Sequence, residues 1–308
     1  MGVLTVATRG TDLAVAQTEL IIAMLKEKRP DLDVRIKKIV TLGDKDKKTA
    51  LWNLPGTGFF TSQVEDELLA GKADFAIHSL KDLPTAEPDG LCIAAIAVRG
   101  AVGDCVVEAD GVSCIADLKR DCRVGTSSFR RGAQMLYLRD DVQITSVRGN
   151  VPTRVGLVKS GKVDAVIVAK AGLERLGLAD EISFDFDIAD FLPAPGQGAL
   201  AVQCRRDDES VAEILSLIDD KNSRAEVLAE RQILVTTKCG CHGPVGAFAK
   251  ITGDQICIEA FISDTVGKRF IRKKKIGKLE KAIETAQQLA CDLLTAGGSE
   301  ILEELKNE

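Results

Sequence analysis

The chain has 308 residues, 45% of them hydrophobic and 28% charged, and carries a net charge of −5 at neutral pH. A single small domain is excluded, and bulk charge gives no reason to expect nucleic acid or a membrane as partner. Nine cysteines, an odd number scattered along the chain, read mostly as reduced core thiols and not as a disulfide framework.

The opening "MGVLTVATRG" enters an apolar run with no basic region or small-residue cleavage site. No apolar run reaches the length of a membrane span, so a cytoplasmic location is expected. "VLTVA" reads as a strand, "LAVAQTELIIAMLKEK" as a helix, "DVRIKKIV" as a strand, "TSQVEDELLA" as a helix and "DFAIHS" as a short buried strand. That order implies a mostly parallel sheet. The middle of the chain repeats the plan: "GKADFAI" from Gly71 is echoed by "GKVDAVI" from Gly161, and "VATRGTDLAVAQ" from Val6 by "VGTSSFRRGAQ" from Val124. Two related α/β domains are expected, with ligands beyond the carboxyl ends of their strands and a cleft between them.

"DFLPAPGQGALAV", Asp190 to Val202, carries two prolines and two glycines before its last residues and marks a boundary or hinge. After Asp207 come helical "ESVAEILSLID" and "SRAEVLAERQILVTT", three strand-like runs, and a long helix from about Leu279, which together predict a smaller α+β domain. Its "IRKKKIGK" reads as an edge strand protected by charge.

Walker loops, H-E-x-x-H, C-x-x-C and G-x-S-x-G are all missing, so chemistry must be carried by other groups. Between Arg123 and Arg154 there are six arginines against two acids, Asp140 and Asp141. Arg130 and Arg131 lie just inside a helix opened by Thr126, Ser127 and Ser128, and Arg148 and Arg154 flank a second helix start. Guanidinium forks at helix N-termini suit several carboxylates or phosphates at once. Arg9 follows the first strand in a comparable place. "HSLKDLP" sets Ser79, Lys81 and Asp82 after a buried strand. Asp82 there could stabilise a developing cation, or could be a solvated turn carboxylate. "KCGCHGPVGAFAK" puts Cys239, Cys241 and His242 together; C-x-C-H offers at most three close ligands, and no metal site is expected. A solute-binding module with an arginine cleft would fit many of these residues, but it leaves the Cys241 loop unexplained.

Seven segments in order, "ATRGTDLAVAQ", "GTGFFTSQVEDELLAGKADFAIHSLKDLP", "VGTSSFRRGAQ", "VRGNVPTR", "VDAVIVAKAGLERLGL", "LPAPGQGALAVQCR" and "CGCHGPVGAFA", resemble the hydroxymethylbilane synthase (porphobilinogen deaminase) family over nearly the whole chain. The resemblance implies an α/β fold of two periplasmic-binding-protein-like α/β domains around a cleft plus a small α+β C-terminal domain. The expected boundaries are 1–97 with 195–215 for domain 1, 98–194 for domain 2 and 216–308 for domain 3. It implies a monomeric transferase that deaminates four porphobilinogen molecules and joins them head to tail into hydroxymethylbilane, on a dipyrromethane cofactor made from two substrate units. On this resemblance Asp82 is the catalytic carboxylate and Cys241 the thioether attachment point. Arg9, Arg130, Arg131, Arg148, Arg154 and Arg175 match carboxylate-binding positions, with Thr11, Ser79, Lys81, Thr126, Ser127 and Ser128 beside them and Phe60 near the cofactor. Two departures stand out: Cys239 replaces a usual glycine, and Asn53 and Thr57 stand where loop lysines are frequent.

Overall fold

The computed structural model describes residues 2–41, 43, 61–109, 111–240 and 243–307. In chain order the strands are β1 (Leu4–Arg9), β2 (Val34–Ile39), β3 (Phe75–Ser79), β4 (Leu91–Ile96), β5 (Asp104–Glu108), β6 (Arg123–Gly125), β7 (Gln143–Thr145), β8 (Ala165–Ala169), β9 (Phe184–Asp185), β10 (Leu200–Arg205), β11 (Val245–Thr252), β12 (Gln255–Ser263) and β13 (Phe270–Lys278). The helices are α1 (Asp12–Lys28), α2 (Ser62–Leu69), α3 (Phe129–Leu138), α4 (Val151–Lys159), α5 (Lys170–Arg175), α6 (Glu209–Ser216), α7 (Lys221–Thr237), α8 (Ala282–Leu293) and α9 (Ser299–Asn307).

The chain divides into two units, Met1–Gly100 with Gly198–Arg224, and Ala101–Gln197 with Ala225–Glu308. The first holds a five-stranded sheet of order β2-β1-β3-β10-β4, in which β1 is parallel to β2 and β3, while β10 is antiparallel to β3 and β4. The second holds a sheet of order β7-β6-β8-β5-β9 with the same pattern: β6 parallel to β7 and β8, and β5 antiparallel to β8 and β9. These are two α/β sheets built on one strand plan, and the second unit adds the antiparallel sheet β11-β12-β13.

The sequence echoes have a physical cause. After α2 the chain turns at Gly71 (φ 65°), and after α4 at Gly161 (φ 67°), a left-handed conformation that costs a side-chain-bearing residue about 1 kcal/mol or more. Three residues on, Asp74 accepts from the Thr5 amide at 2.6 Å, and Asp164 accepts from the Arg123 amide at 2.7 Å. Each aspartate therefore fastens a strand, β1 or β6, to the parallel strand that the aspartate itself leads into, β3 or β8. The apolar runs then fill the interior: Phe75 and Ile77 in one core, Ala165 and Ile167 in the other.

The α1 helix starts at Thr11, whose hydroxyl accepts from the Ala14 amide at 3.4 Å, and has Asp12 in its first turn and Lys26 and Lys28 in its last. Gln17, Ile21 and Leu25, at four-residue spacing, form its buried face. In the C-terminal part, Ala247 and Ala249 on β11 and Ile256, Ile258, Ala260 and Ile262 on β12 point alternately into a core shared with Ala286, Leu289, Ala290 and Leu293 of α8. The β13 strand is the edge of that sheet, with Lys273 and Lys274 exposed.

Two expectations need correction. The long C-terminal helix is broken: Gly297 has φ 109°, which no helix residue adopts, and the chain restarts as α9. The expectation of core thiols needs narrowing: among the described cysteines Cys105, Cys122 and Cys204 are buried, Cys92 and Cys239 are half-buried against a core, Cys257 is half-buried, and Cys114 and Cys291 are exposed; all eight are free. No helix among the described residues is long and apolar enough to cross a membrane.

Candidate active site

In the first unit, β3 runs into a single 3-10 turn, Leu80–Asp82. Leu80 and Leu83 are fully buried on either side of it, each burial stabilising by about 1.5–3 kcal/mol, and the Leu80 amide donates to Ala199 O at 3.1 Å. The anchors leave Lys81 half-buried and the Asp82 carboxylate exposed beyond the carboxyl end of the strand. Gln17 Nε2 donates to Ser79 Oγ at 2.9 Å, which ties the last residue of β3 to α1. Arg9 ends β1, the strand paired with β3, and is half-buried. Thr11 follows as the N-cap of α1.

In the second unit, Ser128 caps α3 by accepting from the Arg131 amide at 3.4 Å, and Thr126 Oγ1 accepts from the Ser128 amide at 3.2 Å. Ser127 Oγ bridges to the segment before Arg148, accepting from the Val147 amide at 3.1 Å and lying 3.1 Å from Ser146 Oγ. Arg130 and Arg131 are 3% and 6% exposed, so their charges must be compensated inside the protein. Asp104 on β5 does this. Arg131 Nε and Nη2 donate to its Oδ1 at 3.0 and 2.7 Å, and Arg130 Nη1 lies 2.7 Å from its Oδ2. Burial alone would push the Asp104 carboxyl up; the two guanidiniums outweigh it and hold the group well below the usual carboxylate range. Burial pulls Arg130 down while Asp104 opposes that pull.

Asp104 escaped the sequence reading, which counted only Asp140 and Asp141 against the arginines. Two of the six arginines are also structural: Arg123 forks onto Asp164 and Arg139 onto Asp141 and the Ile115 and Leu118 carbonyls. Arg148 differs. Its Nε and Nη2 are buried and have no hydrogen-bond partner among the described residues, a cost of about 1–3 kcal/mol per group unless water or a ligand reaches them. Arg154 Nε donates to Gly149 O at 3.0 Å, and Arg175, at the end of α5, is half-buried and pulled down by that burial.

The segment 192–197 joins this cluster to the C-terminal sheet within the second unit. Leu192 O accepts from Arg130 Nη1 at 2.6 Å and from Gln134 Nε2 at 3.0 Å, and Gln197 Nε2 donates to Asp104 Oδ1 at 3.0 Å. On its other side the Ala247 amide donates to Pro193 O at 3.1 Å, and buried Glu230 accepts from the amides of Gly196 (2.7 Å) and Ala249 (2.9 Å). Gln134, Gln197 and Glu230 were missed in the sequence because polar residues inside helices and loops carry no periodic signal. Cys239 is half-buried against the C-terminal core, with its sulfur filling the space beside Gly243: a Cβ built on that glycine would meet Sγ at 1.9 Å. Cys241, Phe60, Asn53 and Thr57 lie outside the described residues.

Two family models cover this chain: the porphobilinogen deaminase dipyromethane cofactor binding domain over residues 4–213 and the porphobilinogen deaminase C-terminal domain over residues 224–295. The chain belongs to the porphobilinogen deaminase family. A porphobilinogen deaminase of Maridesulfovibrio salexigens is 40% identical over 97% of both chains, and one of Deinococcus radiodurans is 38% identical over 99% of this chain and all of the other. Among solved structures, the periplasmic VFT2 domain of Bordetella pertussis BvgS is similar at 16% identity and a TM-score of 0.41, over 70% of this chain and 86% of that one. As a porphobilinogen deaminase family member the protein is a transferase, and its first 210 or so matched residues form a dipyrromethane-binding region. The unmatched donors of Arg148 fit such a group, whose pyrroles carry acetate and propionate side chains.

Proposed function

We propose that this protein makes hydroxymethylbilane from four porphobilinogen molecules, with Asp82 as the catalytic carboxylate and Cys241 as the point of cofactor attachment. The observation that carries the reading is the pair of buried Arg148 donors without a hydrogen-bond partner among the described residues, in the same unit as Arg130 and Arg131, which share one buried carboxylate, Asp104, and so keep a net positive charge. Such a surplus of fixed donors suits a ligand that gains carboxylates as it grows. Arg9, Arg148, Arg154 and Arg175 bind those carboxylates, with Thr11, Ser79, Lys81, Thr126, Ser127 and Ser128 as neighbouring polar contacts. Arg130 and Arg131, locked on Asp104, contribute fixed positive charge at the start of α3. Phe60 lies against the cofactor on this reading.

When bound, dipyrromethane supplies the pyrrole carbon on which the chain is extended. The residues of this protein do the rest. Loss of ammonia from porphobilinogen leaves an electron-poor azafulvene, and positive charge develops on pyrrole nitrogens on both sides of carbon–carbon bond formation. An exposed carboxylate on a rigid turn stabilises that charge without having to reorganise. Cys241 needs nucleophilicity and access to form a thioether. The enzyme works as a monomer in the cytoplasm, with no nucleic-acid or membrane partner; a net charge of −5 speaks against polyanionic partners, and eight free thiols among the described residues suit a reducing compartment.

Intact mass under denaturing, reducing conditions tests the attachment: two linked pyrrole units are expected on the wild type and none on Cys241→Ser. Asp82→Asn is expected to lower kcat at least about 100-fold while retaining those units, the range seen when one charge-stabilising group is removed. A near-normal rate in Asp82→Asn would remove that assignment.

A further inference from the structure

His78 lies on β3, four residues before Asp82, at 6% exposure, and none of the steps above uses it. Its Nε2 is 3.2 Å from Gln203 Oε1 on β10, and Gln203 Nε2 donates to Glu65 Oε1 on α2 at 3.3 Å. All three residues are buried, Gln203 completely. A carboxylate accepts only, so Glu65 takes the NH₂ end of the Gln203 amide and turns its carbonyl oxygen toward the ring. A carbonyl oxygen accepts only, so the ring proton sits on Nε2 and Nδ1 keeps its lone pair. Burial is the main influence on the ring and lowers its pKa to about 4; the Gln203 bond opposes it, nearby Arg9 on β1 adds to it, and Asp82 on the 3-10 turn opposes it. Burial likewise raises the Glu65 carboxyl, against the bond from Gln203.

We propose that the Glu65–Gln203–His78 chain positions a neutral imidazole, protonated on Nε2, beside the Asp82 turn, so that no imidazolium forms there to cancel the Asp82 charge. The proposal rests on the reading of Asp82 as the catalytic carboxylate. An imidazolium at this place would add a positive charge near Arg9 and screen the carboxylate just where a cationic pyrrole has to be stabilised. His78 is thus a positioning residue: it acts through Asp82 and touches no substrate.

The chain has two histidines, so ¹⁵N-histidine labelling of the full-length enzyme gives two imidazole spin systems, and His242→Gln leaves His78 alone. The ¹⁵N shifts are expected to be those of the neutral Nε2–H tautomer, with no titration from pH ~8 down to ~5. An Nδ1–H tautomer, or a midpoint near the ordinary histidine value, overturns the proposal. Gln203→Glu puts a carboxylate against Nε2 and should raise the His78 midpoint. At pH ~7, kcat should fall about tenfold with KM within ~2-fold, and should recover at the pH where the ring deprotonates. A raised midpoint with unchanged kcat overturns the positioning role. The wild-type spectrum decides the tautomer even if Gln203→Glu does not fold, and it is independent of whether Asp82→Asn loses activity.

Discussion

The two five-stranded sheets share a strand plan but bury opposite kinds of polar residue. In the second unit the antiparallel strand β5 inserts a charge, Asp104, between two arginines. In the first the corresponding strand β10 inserts a neutral amide, Gln203, between a histidine and a glutamate. One scaffold therefore fixes positive charge in place, while the other holds a buried histidine on a neutral amide, four residues before the exposed Asp82 carboxylate. The topology does not decide this; one side chain on each returning strand does.

The largest expected effect comes from breaking the charged side. Asp104→Ala leaves two buried guanidiniums uncompensated and should cost about 3–5 kcal/mol in denaturant unfolding. The triad's contribution is fully present above the ordinary aspartate value and is lost progressively as pH falls from there, where the unfolded carboxyl takes a proton, through the lowered folded value. The neutral side has its own pH signature. Unfolded His78 takes a proton near 6.5, whereas folded His78 does so only at about 4, so the unfolded state binds more protons between those values and stability rises with pH across that window, by roughly 3 kcal/mol at most. A His78→Gln variant should flatten that slope in unfolding curves taken at successive pH values.

A smaller contrast sharpens the comparison at the strand fasteners. Asp164 accepts from the Arg123 amide and its guanidinium, while Asp74 accepts from the Thr5 amide and has Arg205 only at 3.7 Å. Asp164→Asn should therefore lose more than Asp74→Asn, about 2 against about 1 kcal/mol by thermal unfolding. Least of all, Gly71→Ala and Gly161→Ala should cost the same, about 1 kcal/mol each, since a Cβ at either meets open space and only the backbone angle resists.

The repeat was legible in the sequence because its cause is local: a helix-ending glycine and an aspartate three residues later. The turn bearing Asp82 was legible for the same reason. Asp104 was not, because it is 26 residues before Arg130 and only the sheet brings them together. The Gln203 to Glu65 bond spans 138 positions, and a lone glutamine in a strand gives no sign of its partner. Arg123 and Arg139 were counted with the other arginines because sequence counts charges and does not show which are already paired. The break at Gly297 was hidden by good helical periodicity on both sides of it.

Strand order also bears on how the protein is made. All five strands of the second sheet come from residues 104–185, whereas the first sheet cannot place β10 between β3 and β4 until residues 200–205 exist. During synthesis the middle of the chain can close its sheet while the N-terminal strands still lack a central member. The first segment to leave the ribosome is thus the later of the two to finish folding, with the β3 and β4 edges exposed to other chains or chaperones in the interval.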